Sequence, residues 1–187
     1  MSDIRKVAVI GAGVMGAGIA AQVANAGIPV VLLDIVKDGT ANRSVIAEGA
    51  VEKMLKADPP PFMSKAAAKL ITTGNTEDDL GRLADCDWIV EAVIERLDVK
   101  QALYQKIDKA RKAGSIVSSN TSTIPLETLT AGLSEGFAAD FCITHFFNPP
   151  RYMRLLEVVK GEKTRPEAIE AVSRFADIAL GKSVVAC

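Results

Sequence analysis

The stretch VAVIGAGVMGAGIA, residues 7–20, decides the fold. Val7 to Ile10 is a short apolar run that stops at a glycine, the pattern of a buried strand. Gly11, Gly13 and Gly16 follow in the spacing G-x-G-x-x-G. In such a turn the first glycine permits the sharp exit from the strand. The second lets backbone amides approach a pyrophosphate with no Cβ in the way, and the third lets a helix pack close to the strand. Val14 to Ala26 is small, apolar and proline-free, as a tightly packed helix requires, and Gly27 is placed to cap it. Pro29 to Leu33 reads as a second strand that stops at Asp34, eighteen residues beyond Gly16.

This βαβ unit predicts a dinucleotide site. A pyrophosphate is favoured at a helix N-terminus by the unpaired N–H groups and the helix dipole. The carboxylate ending the second strand accepts hydrogen bonds from ribose hydroxyls. Expected cofactor contacts are therefore Gly11, Gly13, Val14, Met15, Gly16 and Asp34. A carboxylate at that position repels a 2′-phosphate, so the expected cofactor is NAD rather than NADP. The competing reading, small residues that merely pack a helix on a sheet, does not account for the acidic residue in place after the second strand.

Further along, strand-like and helix-like segments alternate. Helices are expected at Thr40–Lys56, Ser64–Leu70, Val99–Lys112, Pro125–Ala131 and Pro166–Leu180. Strands are expected at Ile71–Thr73, Trp88–Val93, Ser115–Ser119, Phe141–His145, Leu155–Val159 and Ser183–Ala186. Pro59, Pro60 and Pro61 interrupt the chain after the second helix. Alternation of this kind predicts an α/β fold: a Rossmann-like, doubly wound, mainly parallel sheet with helices on both faces.

Bulk properties narrow the function. The chain has 187 residues, is 49% hydrophobic and carries a formal net charge of −1, so no global field recruits nucleic acid or an anionic membrane. Neither a signal peptide nor a membrane span is expected. Three widely spaced cysteines without a CxxC pair argue against a disulfide framework or a metal site, and fit a reducing, cytoplasmic setting.

The one histidine, His145, ends a predicted strand. Open α/β sheets bind ligands at the carboxyl ends of their strands. Oxidising an alcohol with NAD requires a base for the hydroxyl proton, and histidine serves as base and, in reverse, as acid near neutral pH. Glu157, on the next strand, is placed to hold the imidazole tautomer. A structural histidine and a solvated glutamate are the plainer alternatives. Ser122 follows another strand; from the residues alone it reads better as the N-cap of the next helix.

Four segments carry a family resemblance: VAVIGAGVMGAGIA at 7–20, IVEAVIERLDVK at 89–100, SSNTS at 118–122 and HFFNPPRYMRLLEVV at 145–159. Together they resemble the N-terminal NAD-binding domain of the 3-hydroxyacyl-CoA dehydrogenase family, the oxidoreductases of fatty-acid β-oxidation. The resemblance implies interconversion of 3-hydroxyacyl-CoA and 3-ketoacyl-CoA. It implies a catalytic set of His145 as acid/base, Glu157 as its partner, Ser122 near the substrate hydroxyl and nicotinamide, and Asn148 placing cofactor or substrate. It also implies cofactor contacts at Glu95 and Lys100, and raises Ser122 from a cap to a site residue. Residues 1–187 are then one NAD-binding domain. In the family a helical domain follows, supplying much of the acyl-CoA pocket and the dimer contacts, and Cys187 lies about where it would begin. The wording at residues 148–152 resembles larger bacterial members fused to an enoyl-CoA hydratase module. The segment from Lys53 to Lys65 diverges, so no CoA contact is carried over there, and Lys53 and Lys56 read as an exposed helix face. Two other readings stay open: an NAD-binding module inactive on its own, and the Rossmann half of another 3-hydroxyacid dehydrogenase.

Overall fold

In the computed structural model, which describes residues 4–187, β1 (Val7–Ile10) lies inside an eight-stranded sheet. Parallel neighbours flank it: β2 (Val30–Asp34) on one side and β4 (Trp88–Glu91) on the other. Beyond β2 lies β3 (Ile71–Asn75). Beyond β4 come β5 (Ile116–Ser119), β6 (Phe141–Phe146), β7 (Leu155–Lys160) and β8 (Ser183–Ala186), giving the order 3-2-1-4-5-6-7-8. β1 to β6 run parallel, β7 runs antiparallel to β6, and β8 runs parallel to β7. The chain leaves β1 in one direction to β2 and later returns to its other side for β4. That reversal opens a crevice at the carboxyl ends of β1 and β4, where this architecture binds nucleotides.

Side-chain alternation along the strands divides the core into two layers. Val7 and Val9 face the layer built with α1 (Val14–Asn25), α2 (Val45–Lys56), α3 (Lys65–Ala68) and α7 (Pro166–Ile178). Ala8 and Ile10 face the layer built with α4 (Leu97–Ala110), α5 (Leu126–Thr130) and α6 (Glu135–Ala139). Trp88 anchors the first layer, with Phe146 at 6.4 Å and Phe175 at 5.9 Å between ring centroids. Tyr104, Phe137 and Phe141 cluster in the second.

The expected elements are present, with shifted edges. α2 starts at Val45 rather than Thr40. Thr40 Oγ1 bonds the carbonyls of Lys37 and Asn42, and Asn42 Oδ1 accepts from the Ser44 N–H. Short polar side chains thus hold the backbone in a turn where the apolar spacing alone suggested helix. Two short elements escaped the sequence reading: a 3₁₀ turn at Leu80–Asp85 and α6, which Ser134 caps by accepting from the Phe137 N–H. α5 begins after Pro125 with no side-chain cap, so Ser122 is not its N-cap. Gly27 sits just past α1 at φ +79°, the left-handed conformation that a helix C-terminus favours for glycine. Among the described residues, no helix is long and apolar enough to cross a membrane.

Candidate functional site

The turn after β1 is built around absent side chains. Gly11 has φ +103°, and a Cβ there would lie 2.5 Å from the Ala92 carbonyl oxygen. A Cβ on Gly16 would collide with the Gly11 carbonyl. Gly13 differs: a Cβ on it would meet nothing within 4 Å, so the space before the helix is open. The first turn of α1 has neither a side-chain cap nor an acidic residue. Its N–H groups therefore face that space, which is what a pyrophosphate requires. Asp34, at the end of β2, fixes the turn: its Oδ2 accepts from the Ala12 N–H at 2.5 Å and its Oδ1 from the Ile35 N–H at 2.6 Å. A carboxylate has about four acceptor sites, so lone pairs remain for ribose hydroxyls.

His145 and Glu157 face each other as register partners in the antiparallel β6–β7 ladder. His145 Nδ1 and Glu157 Oε2 are 2.9 Å apart. The Phe147 ring lies 4.5 Å from the imidazole centroid and packs one side of it. The carboxylate engages Nδ1, so Nε2 is the nitrogen left for a reacting proton. The side chains are 23% and 38% exposed, enough for a substrate to reach the ring.

Ser122 is exposed on the β5–α5 connection, on the same sheet edge. Its neighbour Thr121 organises that turn: Thr121 Oγ1 accepts from the N–H groups of Thr123 and Ile124. Asn148 is exposed on the loop after β6. Behind it, Asn120 Oδ1 accepts from the Phe146 N–H and ties the end of β5 to the end of β6.

Glu95 and Lys100 differ sharply in environment. The Glu95 side chain is 39% exposed, whereas that of Lys100 is 1% exposed, with its ammonium between Glu91 (2.7 Å) and Glu95 (3.2 Å). Partial burial opposes ionisation of Glu95, but the hydroxyl of Thr121, the Lys100 ammonium and the hydroxyl of Thr123 outweigh it and hold its carboxyl below the ordinary value.

A mostly apolar cleft of about 640 Å³ adjoins the glycine turn and Asn148. The start of α1, one face of α2, Pro59, Pro61 and residues 148–152 line it, with Lys37 and Lys53 contributing positive charge. Lys53 thus stands beside a ligand-sized space, not merely on a solvated face as its sequence suggested. Lys182 and Arg151, to which the sequence reading assigns no role, fasten the loop: Lys182 Nζ donates to the carbonyls of Pro150 and Met153, and Arg151 to those of Pro60 and Phe62.

Residues 6–187 match the family model described as 3-hydroxyacyl-CoA dehydrogenase, NAD binding domain. The chain belongs to that family. It is 53% identical over 182 residues to a Deinococcus radiodurans protein named "Probable 3-hydroxyacyl-CoA dehydrogenase", covering 97% of this chain and 53% of that protein. It is 36% identical over 184 residues to the fatty acid oxidation complex subunit alpha of Pseudomonas paraeruginosa, covering 98% of this chain and 25% of that one. Among solved structures, 3-hydroxybutyryl-CoA dehydrogenase from Escherichia coli superposes with a TM-score of 0.83 at 29% identity, covering 100% of this chain and 38% of that chain. This NAD-binding domain of the family thus spans about half of one curated relative and a quarter of the other.

Proposed function

We propose that residues 1–187 form the NAD-binding Rossmann domain of an (S)-3-hydroxyacyl-CoA dehydrogenase that interconverts 3-hydroxyacyl-CoA and 3-ketoacyl-CoA in fatty-acid β-oxidation. The observation that carries this reading is the His145–Glu157 pair, at 2.9 Å, on the same sheet edge as the glycine turn. Gly11, Gly13, Val14, Met15 and Gly16 offer the backbone cradle for the pyrophosphate, and Asp34 the ribose acceptor. Glu95, Ser122 and Asn148 are assigned to the other half of the cofactor and to the substrate, and Lys100, buried at 1% exposure, serves the cofactor through Glu95.

Bound NAD supplies the hydride acceptor. His145 Nε2 takes the hydroxyl proton as the carbinol C–H bond gives up its hydride, and returns a proton to the carbonyl oxygen in the reverse direction. Glu157 holds Nδ1 as a donor and stabilises the imidazolium that forms. Ser122, exposed and without a competing side-chain bond among the described residues, is free to bond the substrate oxygen. The cleft beside Asn148 suits an amphiphilic thioester, apolar along its walls with ammonium groups at Lys37 and Lys53 for anionic phosphates.

A cytoplasmic location, the absence of a nucleic-acid or membrane partner, and dimerisation through a following helical domain complete the proposal. In the full-length protein, His145→Gln should lower kcat for acetoacetyl-CoA reduction by about 10²–10⁴, the usual worth of a general acid–base. NADH affinity should survive. Near-normal turnover in that variant would overturn the mechanism.

A further inference from the structure

Glu91, the last residue of β4, is fully buried at 0% exposure and so cannot touch a ligand in the crevice. Yet its carboxylate is saturated. Oε1 accepts from the Val93 N–H at 2.8 Å and from Lys100 Nζ at 2.7 Å. Oε2 accepts from the Tyr104 hydroxyl at 2.5 Å and the Ser119 hydroxyl at 2.7 Å. Burying a carboxylate and an ammonium is costly, and core packing alone would be served as well by apolar side chains. The arrangement continues in one direction. Lys100 reaches from Glu91 to Glu95 Oε2 at 3.2 Å, and Glu95 Oε1 accepts from Thr121 and from Thr123 at 3.1 Å. Of the three ionisable groups Glu91, Lys100 and Glu95, Glu95 is the one that reaches the surface. It lies beyond the carboxyl end of β4, on the side of the crevice opposite Asp34, where the second half of a dinucleotide must lie.

We propose that Glu91 is a positioning residue for the cofactor site: acting through Lys100, it fixes the Glu95 carboxylate, and the Ala92–Arg96 turn that carries it, in the orientation that receives the cofactor. This rests on the reading of Glu95 as a cofactor contact. The asymmetry within Glu91 gives it a test. Oε1 faces Lys100 and the turn, whereas Oε2 faces Tyr104 and Ser119 in the fold. Burial first, and then the Glu91 carboxylate, push the Tyr104 hydroxyl well above its ordinary value, so it remains a protonated donor on the fold side.

The experiment is NADH titration of the 187-residue chain by fluorescence, with thermal unfolding alongside. Glu95→Gln alone should weaken NADH binding; if it does not, the underlying contact reading fails and the proposal with it. Glu91→Gln should weaken binding by about five- to tenfold, the net worth of one ordinary hydrogen bond, because the change reaches the cofactor only through Lys100 and Glu95. In the Glu95→Gln background the same change should cost less than about twofold, because residues acting as one unit are non-additive. Lys100→Met provides an independent version of the cycle should Glu91→Gln fold poorly. Tyr104→Phe, which removes a bond to Oε2, should lower the melting temperature and leave NADH affinity unchanged. Full additivity of Glu91→Gln and Glu95→Gln, or an equal loss of affinity in Tyr104→Phe, would reduce Glu91 to a structural group and overturn the assignment.

Discussion

Asp34 closes the glycine turn through the Ala12 and Ile35 N–H groups. In the proposed function its carboxylate also receives the ribose. Asp34→Asn keeps the shape and removes the charge. It should weaken NADH by about tenfold, the scale of a lost charge-assisted bond. NADPH should lose less, or gain, because the repulsion of a 2′-phosphate disappears. Parallel titrations with both nucleotides check this; an unchanged NADH:NADPH ratio contradicts the role given to Asp34. Residues of this kind were legible because their spacing is itself a motif. His145 and Glu157 were legible for another reason: His145 closes one predicted strand, Glu157 lies within the next, and the antiparallel pairing brings them into register. Glu91 was not. It ends an apolar strand, and its partners come from α4 and from β5, nine to twenty-eight residues away, so only the folded sheet brings them together. The site role proposed for Ser122 comes only from resemblance, since the residues alone favoured a cap that the helix start at Leu126 does not use.

At the scale of elements, the loop between β6 and β7 is held from three sides. α1 approaches through Gly18, where an added Cβ would lie 2.8 and 2.9 Å from the Pro150 ring carbons. The proline segment after α2 is held by Arg151, and by the Tyr152 hydroxyl, which donates to the Pro60 carbonyl at 3.0 Å. β8 is joined through Lys182. The helix that opens at the cofactor turn thus also sets the height of the loop bearing Asn148. Gly18→Ala should displace that loop, at an overpacking cost of about 1–3 kcal/mol. The expected signature is a lower melting temperature together with a kcat loss in the full-length protein larger than any loss of NADH affinity. Unaltered kcat would show that the loop tolerates the shift. Long, periodic elements such as α4 and α7 were readable from sequence. The five-residue α6 was not, because one turn is too short to show a period and its cap at Ser134 acts on a single N–H. The loop clamp was invisible for a different reason: its acceptors are backbone carbonyls, which leave no trace in side-chain patterning.

Across the whole molecule, the sheet divides into a parallel nucleotide half and a closing hairpin, and Lys182 is a joint between them. It is 2% exposed, bonds Pro150 and Met153 carbonyls, and its ammonium lies 5.6 Å from the Phe146 ring centroid. Phe146 in turn stacks on Trp88 of β4, so the joint reaches the centre of the sheet. Burial pushes the lysine down from 10.5 to about 8. The unfolded chain therefore binds more protons at this group than the folded one between about pH 8 and 10.5. Stability from this source rises with pH across that window, is complete above it, and is lost as pH falls to about 8. Lys182→Met removes the titration but strands two carbonyls. It should destabilise the chain by about 1–3 kcal/mol for each acceptor left unpaired. The difference between wild type and variant isolates the lysine, because the remaining groups titrate alike in both. Denaturant unfolding at pH 7.5 and at pH 10 should show the wild type gaining on Lys182→Met at the higher pH. A difference that stays flat, or shrinks, would mean that the two carbonyls hold the ammonium charged and that the hairpin is fastened independently of pH.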